Sequence, residues 1–169
     1  AIPASKKMIA GAVDSKVFTP LNPSAAIQLT FSEKQLPNQT MEELRYWTVD
    51  SSTHDYWGKG TYAFDFDLTD EQLPNAKILH FDQIRDWVRV RINGKDLGLV
   101  WSLPYELKIP AGVLSNHNHI ELEVANVSAN RIRKLDRDKV KWKNFYEINF
   151  VDIRYQPFDA STWQVTPSG

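Results

Sequence analysis

Trp57 stands in residues 50–60, DSSTHDYWGKG, a long polar loop bounded by turn-forming residues. A tryptophan presented to water offers a flat apolar face of the kind on which the C–H faces of sugars stack, although core filling is the ordinary role of this side chain. The other chemistry-bearing residues read more plainly. Asp65 and Asp67 lie two apart and face the same way, as an acid/base pair would, but their alternation with Phe64 and Phe66 marks them as the wet face of a strand. His80 sits in the apolar run AKILHF, where a hydrogen-bonded histidine at the core's edge is expected, because no second ligand stands at metal spacing. His117 and His119 have the i, i+2 spacing that serves a metal from a strand, yet they flank the turn-rich stretch AGVLSNHNH and read as solvated loop side chains. No metal ligand is assigned.

Catalytic signatures are missing from the letters. No serine sits in a glycine-flanked nucleophile elbow, and the seven glycines are scattered rather than gathered before a helix to cradle phosphate. Without cysteine there is no disulfide, thiolate metal site or thiol nucleophile. Asn38 and Asn126 begin Asn-x-Thr/Ser triplets that matter only in a eukaryotic secretory setting. No catalytic residue is assigned.

The elements that must position these residues are strands. Val88, Val90 and Ile92 alternate with Arg89 and Arg91, and the pair Asn93-Gly94 that follows tolerates the positive φ of a tight hairpin turn. Leu97, Leu99 and Trp101 form a returning run in which Gly98 suggests a bulge. Tyr105, Leu107 and Ile109 form a third run after Pro104, so three strands of one antiparallel sheet are expected here. Further strands are read at Ile27, Leu29 and Phe31, at RYWTV (45–49), at Tyr62, Phe64 and Phe66, at residues 76–81, at Ile120, Leu122 and Val124, and across residues 145–155. The basic connection NVSANRIRKLDRDKVKWK (126–143) reads as a solvated loop, and no amphipathic helix stands out.

Such a run of short strands in 169 residues predicts an all-β, antiparallel β-sandwich, with a jelly roll as the favoured topology. Residues 1–25 read as a linker or the end of a preceding domain, and 26–169 as the sandwich. A hydrophobic fraction of 42% supports a real core, while 20 basic against 21 acidic residues give no charge reason to seek nucleic acid. No apolar run approaches the roughly 20 residues of a membrane helix, and no basic segment followed by an apolar one opens the chain, so a soluble protein with no membrane partner is expected.

The hairpin and its neighbours resemble a known module, over about residues 60 to 135. The order is strand 88–92, Asn93-Gly94-Lys95, Leu97-Gly98, Trp101, Pro104-Tyr105, Asn118 in a turn, strand 120–124, Asn126, and Asn130-Arg131-Ile132. It is similar to the galactose-binding-like, or sugar-binding, jelly-roll domain of family 2 glycoside hydrolases, especially the version near the C-terminus of large bacterial enzymes such as family 106 rhamnosidases. Two departures stand out: Asn116-His117 replaces Gly-Glu in the turn, and Arg133-Lys134 replaces the Ile-Gly that commonly follows Asn-Arg-Leu. Pro167-Ser168-Gly169 resembles the segment before that module's last strand, which is then expected beyond Gly169.

The resemblance implies a non-catalytic, carbohydrate-associated domain whose partners are a glycan or polysaccharide and the catalytic domain of the same parent chain. It also implies a periplasmic or extracellular location within an exported bacterial enzyme. Two groupings suit sugar, each an aromatic face beside hydrogen-bonding side chains: His54, Asp55 and Trp57, and Trp101, Asn130 and Arg131. The alternative is a structural interdomain module with no sugar site. No cofactor is expected; structural calcium is common in related folds, but no cluster of oxygen ligands names its site.

Overall fold

The computed structural model describes residues 18–142 and 158–169. Residues 1–17 of the expected linker and the strand read at 145–155 lie outside them. The described residues form eight strands and one helix: β1 Ile27–Phe31, β2 Gln39–Met41, β3 Lys59–Asp67, β4 Ile78–His80, β5 Trp87–Ile92, β6 Lys95–Val100, β7 Glu106–Lys108, β8 His117–Ala125 and α1 Ala129–Arg137. Six strands make one sheet in the order β2-β1-β3-β8-β5-β6, and β4 pairs with β7 in a second. Every pairing is antiparallel.

Alternation fixes which face is which. Leu29, Tyr62, Leu122 and Val90 sit opposite one another across four strands, and Phe64, Ile120 and Ile92 form the next row; all are buried. Leu79 and Leu107 of the small sheet, with Ile109, pack against this core, giving the layered arrangement of an all-β sandwich. The opposite face carries charge in matched rows, with Arg89 across from Glu123, Arg91 from Glu121, Asp65 from His119 and Asp67 from His117.

The Asn93-Gly94 turn forms as expected, with φ of 51° and 76°. Around it two expectations change. The third run, as β7, pairs with β4 instead of continuing the hairpin sheet, because residues 101–105 turn a corner at Pro104 and carry the chain to the other layer. The bulge expected at Gly98 is present as a register shift opposite Val90 and Arg91, with Gly98 at φ 110°. Its one extra residue inverts the parity of β6. Val100 is therefore buried, while Leu99 and Trp101, whose alternation suggested a core row, project to solvent.

Residues 45–49 are not a strand. Trp47–Val49 make one 3-10 turn that drives Trp47 into the core, edge-on to Phe31 and Tyr56 and stacked on Tyr62. A Cβ on Gly60 would come within 2.7 Å of that indole, so the close approach needs glycine. The basic connection is also more than a loop, since residues 129–137 fold as α1. Asp138 ends the helix and Lys139 follows at φ 56°, with Lys139 N donating to Asp136 O and Val140 N to Leu135 O, the paired bonds of a Schellman stop. Ala129, Ile132 and Leu135 do fall on one helical face, but they are few among charged residues, so the stretch reads as polar overall. Asn116, which stands where the resembled pattern has glycine, takes no left-handed conformation; its amide donates to Leu68 O and Asp70. Residues 23–24, read as linker, pair with β3 beyond the end of β1 through a Pro23–Phe66 bridge and Ser24 N to Asp65 O.

Candidate functional site

The loop carrying Trp57 is built from its anchors inward. Asp50 accepts from Ser52 N (2.9 Å) and Ser52 Oγ (2.8 Å), and these bonds, the backbone one foremost, hold its carboxyl below the ordinary value. Thr53 is fully buried and donates to Trp47 O. Asn126, just past β8, holds both sides of the tryptophan: its Nδ2 donates to Tyr56 O at 2.9 Å and its Oδ1 accepts from Gly58 N at 3.0 Å. Trp57 is 57% exposed on a loop whose backbone is fixed to the core. An aromatic platform of this sort loses little freedom when it binds.

Asp55, two residues earlier, faces the helix. Its carboxylate is only 11% exposed and accepts from Arg133 Nη1 at 3.2 Å and Arg137 Nη2 at 3.1 Å, with His54 Nδ1 3.0 Å away. Arg133 also donates from Nε to Trp163 O, and so joins the loop, α1 and the segment 158–169. Trp163 is exposed and edge-on to Phe158. Arg133, Arg137 and Trp163 did not figure among the candidates, although the i, i+4 spacing of the two arginines does place them on one helical face. Only the fold shows that this face meets a carboxylate 78 residues away.

The second expected grouping is not assembled. Trp101 is 69% exposed just beyond β6, beside exposed Leu99 and Leu103. Asn130 is buried on α1, where its Nδ2 donates to Thr166 O and its Oδ1 accepts from Thr166 N, both at 2.7 Å. Its amide thus stands in for a strand neighbour and pins the tail. Arg131 is exposed on α1, and among the described residues no hydrogen bond, ion pair or ring contact joins Trp101 to either. The tail is fixed again where Ser168 N donates to Thr48 Oγ1 and Gly169 N to Asp86. Burial pushes the Asp86 carboxyl up despite the backbone donors Gly169 and Val127.

Among the described residues His80 has no hydrogen-bond partner of the kind expected; it stacks on Phe18 at 4.2 Å and lies 3.6 Å from Asp82 and 3.7 Å from Glu106. His117 and His119 are on β8, not in the preceding turn, because the strand begins earlier than its apolar residues suggest. Each lies against the aspartate opposite it: His117 Nδ1 is 2.7 Å from Asp67 Oδ1 and His119 Nδ1 is 2.6 Å from Asp65 Oδ1. Among the described residues, no three His, Cys, Asp or Glu side chains are gathered so as to hold a metal ion, and no helix is long and apolar enough to cross a membrane.

No family model matches the chain, and no curated protein matches it in sequence. Solved structures do. The rhamnosidase from Novosphingobium sp. PP1Y superposes with a TM-score of 0.62 at 22% identity, over 95% of this chain and 16% of that one. The β-glucuronidase of Ruminococcus gnavus gives a TM-score of 0.51 at 17% identity, over 66% of this chain and 22% of that one. The chain therefore has the fold of one part of each of these much longer proteins.

Proposed function

We propose that this chain is a non-catalytic, carbohydrate-associated jelly-roll module of the galactose-binding-like type, part of a larger glycoside hydrolase exported to the periplasm or beyond the cell. The observation that carries the reading is the fold shared along 95% of this chain with a minor portion of a rhamnosidase, in keeping with the motif series around Asn93-Gly94-Lys95. Catalytic carboxylates then belong to another domain of the parent chain. Trp57 is the residue that meets glycan, since it is exposed, flat and backbone-fixed, while Asp55 and Asn130 serve the fold and leave sugar hydroxyls to other groups.

The test is an affinity-gel screen of the folded chain against galactosides, rhamnosides and plant polysaccharides, with and without calcium. Specific retention that Trp57→Ala abolishes, with an unchanged circular dichroism spectrum, is the expected result. No retention by a folded chain overturns glycan binding.

A second reading is favoured by the apolar edge at Leu99, Trp101 and Leu103, which suits packing against a neighbouring domain. In that case the isolated chain binds a hydrophobic dye or self-associates, and the double variant Trp101→Ser, Leu103→Ser does so less. A clean monomer that ignores the dye rejects it.

A further inference from the structure

The cross-strand pairs Asp65–His119 and Asp67–His117 lie at the far end of β3 from Trp57, about 25 Å away along a strand rising some 3.3 Å per residue. A carboxylate only accepts, so a neutral histidine bonded to it through Nδ1 carries its proton there and keeps the lone pair on Nε2. In the neutral form both imidazoles then share one tautomer, and among the described residues neither Nε2 has a hydrogen-bond partner. This is the arrangement found behind metal-bound histidines, where a carboxylate orients the ring and raises its basicity.

The two rings stand on the same face of β8, with side chains 90% and 49% exposed. Together with Ser24, Asn93 and Asn118 they line an open groove of about 450 Å³. Residues i and i+2 on a strand are about 7 Å apart at the backbone, and two Zn–N bonds of about 2.1 Å span up to about 4 Å. The rings need only lean toward one another from exposed positions, with no movement of the sheet.

We propose that His117 and His119 form a two-imidazole chelate for a divalent transition-metal ion of the Zn²⁺ class, with Asp65 and Asp67 as positioning residues and water completing the coordination. Imidazole nitrogen selects zinc, copper or nickel over calcium, which takes six to eight oxygens. The set is two protein ligands rather than a closed cage, in keeping with the lack of any three-ligand group among the described residues.

Isothermal titration of the full chain with ZnCl2, and separately with CaCl2, tests it. One saturable equivalent of Zn²⁺ and no response to Ca²⁺ are expected. His117→Ala and His119→Ala each abolish the saturable binding, and Asp65→Asn weakens it about tenfold by loosening the ring it orients. The four side chains are exposed, so the variants keep the fold, checked by circular dichroism. In nuclear magnetic resonance, Zn²⁺ shifts the ring signals of His117 and His119 and leaves those of His54 and His80 in place. No binding at millimolar Zn²⁺, or binding undiminished in the double histidine variant, overturns the proposal.

Discussion

Trp57 and Trp101 are both exposed tryptophans near strand ends, but their surroundings differ in kind. Trp57 stands among polar groups whose hydrogen bonds are directed inward: Asn126 clamps the backbone on both sides, Thr53 reaches the core, and Asp55 is bound to the helix. Trp101 stands among apolar neighbours just beyond β6, the outermost strand of the described large sheet, its exposure a consequence of one extra residue at the Gly98 bulge. The first arrangement presents a single rigid face; the second presents an apolar strip beside the outermost strand of the described sheet. Polar fixation suits a small polar ligand, and an apolar edge suits another protein surface.

That contrast can be broken at its foundations. The Trp57 side depends on α1 and the tail, and the largest effect is expected at Asn130. Asn130→Ala takes two hydrogen bonds from the Thr166 backbone and empties a buried side-chain site, at a cost of about 2 kcal/mol. For a chain of this size the melting temperature then falls by roughly 4–8 °C. Asp55→Asn removes the negative charge that two arginines share. Because Arg137 is well exposed, the cost is smaller, about 1–2 kcal/mol in thermal unfolding, and it shrinks in high salt.

A third expectation concerns Asp86, which holds the end of the tail. Its folded-state pKa is raised, foremost by burial, so the folded protein keeps a proton that the unfolded chain has released. Stability therefore falls as pH rises from about 3.8 through the raised value, and is recovered as pH drops. Asp86→Asn removes that component, and the difference between the two melting-temperature profiles across this window measures it. The smallest changes in stability sharpen the comparison from the other side. Trp57→Ala and Trp101→Ser are each expected within about 0.5 kcal/mol of the parent, so any loss of binding in either variant reports on the surface and not on the fold.

The strands were legible because alternation is local: Tyr62, Phe64 and Phe66, or Ile120, Leu122 and Val124, announce a buried face within five residues, and Asn93-Gly94 announces its turn. The inverted parity of β6 was not, since Gly98 signals a bulge without saying which side of it keeps the core register. Helix α1 escaped because it is held through Arg133, Arg137 and Asn130, whose letters look like a solvated run until their partners at Asp55 and Thr166 are known. For the same reason the candidate site was half visible. Trp57 and its loop could be picked out, whereas the engagement of Asp55 and the burial of Asn130 arise from contacts between segments far apart in the chain.

The charged outer face has a consequence for how the sheet assembles. A slip of β3 against β8 by one residue would bury charge, so the plausible error is a slip by two, which keeps every apolar side chain inward. In the native pairing Asp65 meets His119 and Ala63 meets Glu121. Moving β8 by two in one direction brings Glu121 opposite Asp65, setting like charges face to face. Moving it the other way brings residue 115, in the turn, opposite Asp67 and shortens the ladder. The surface that solvates the finished protein thus also edits misaligned pairings while it folds.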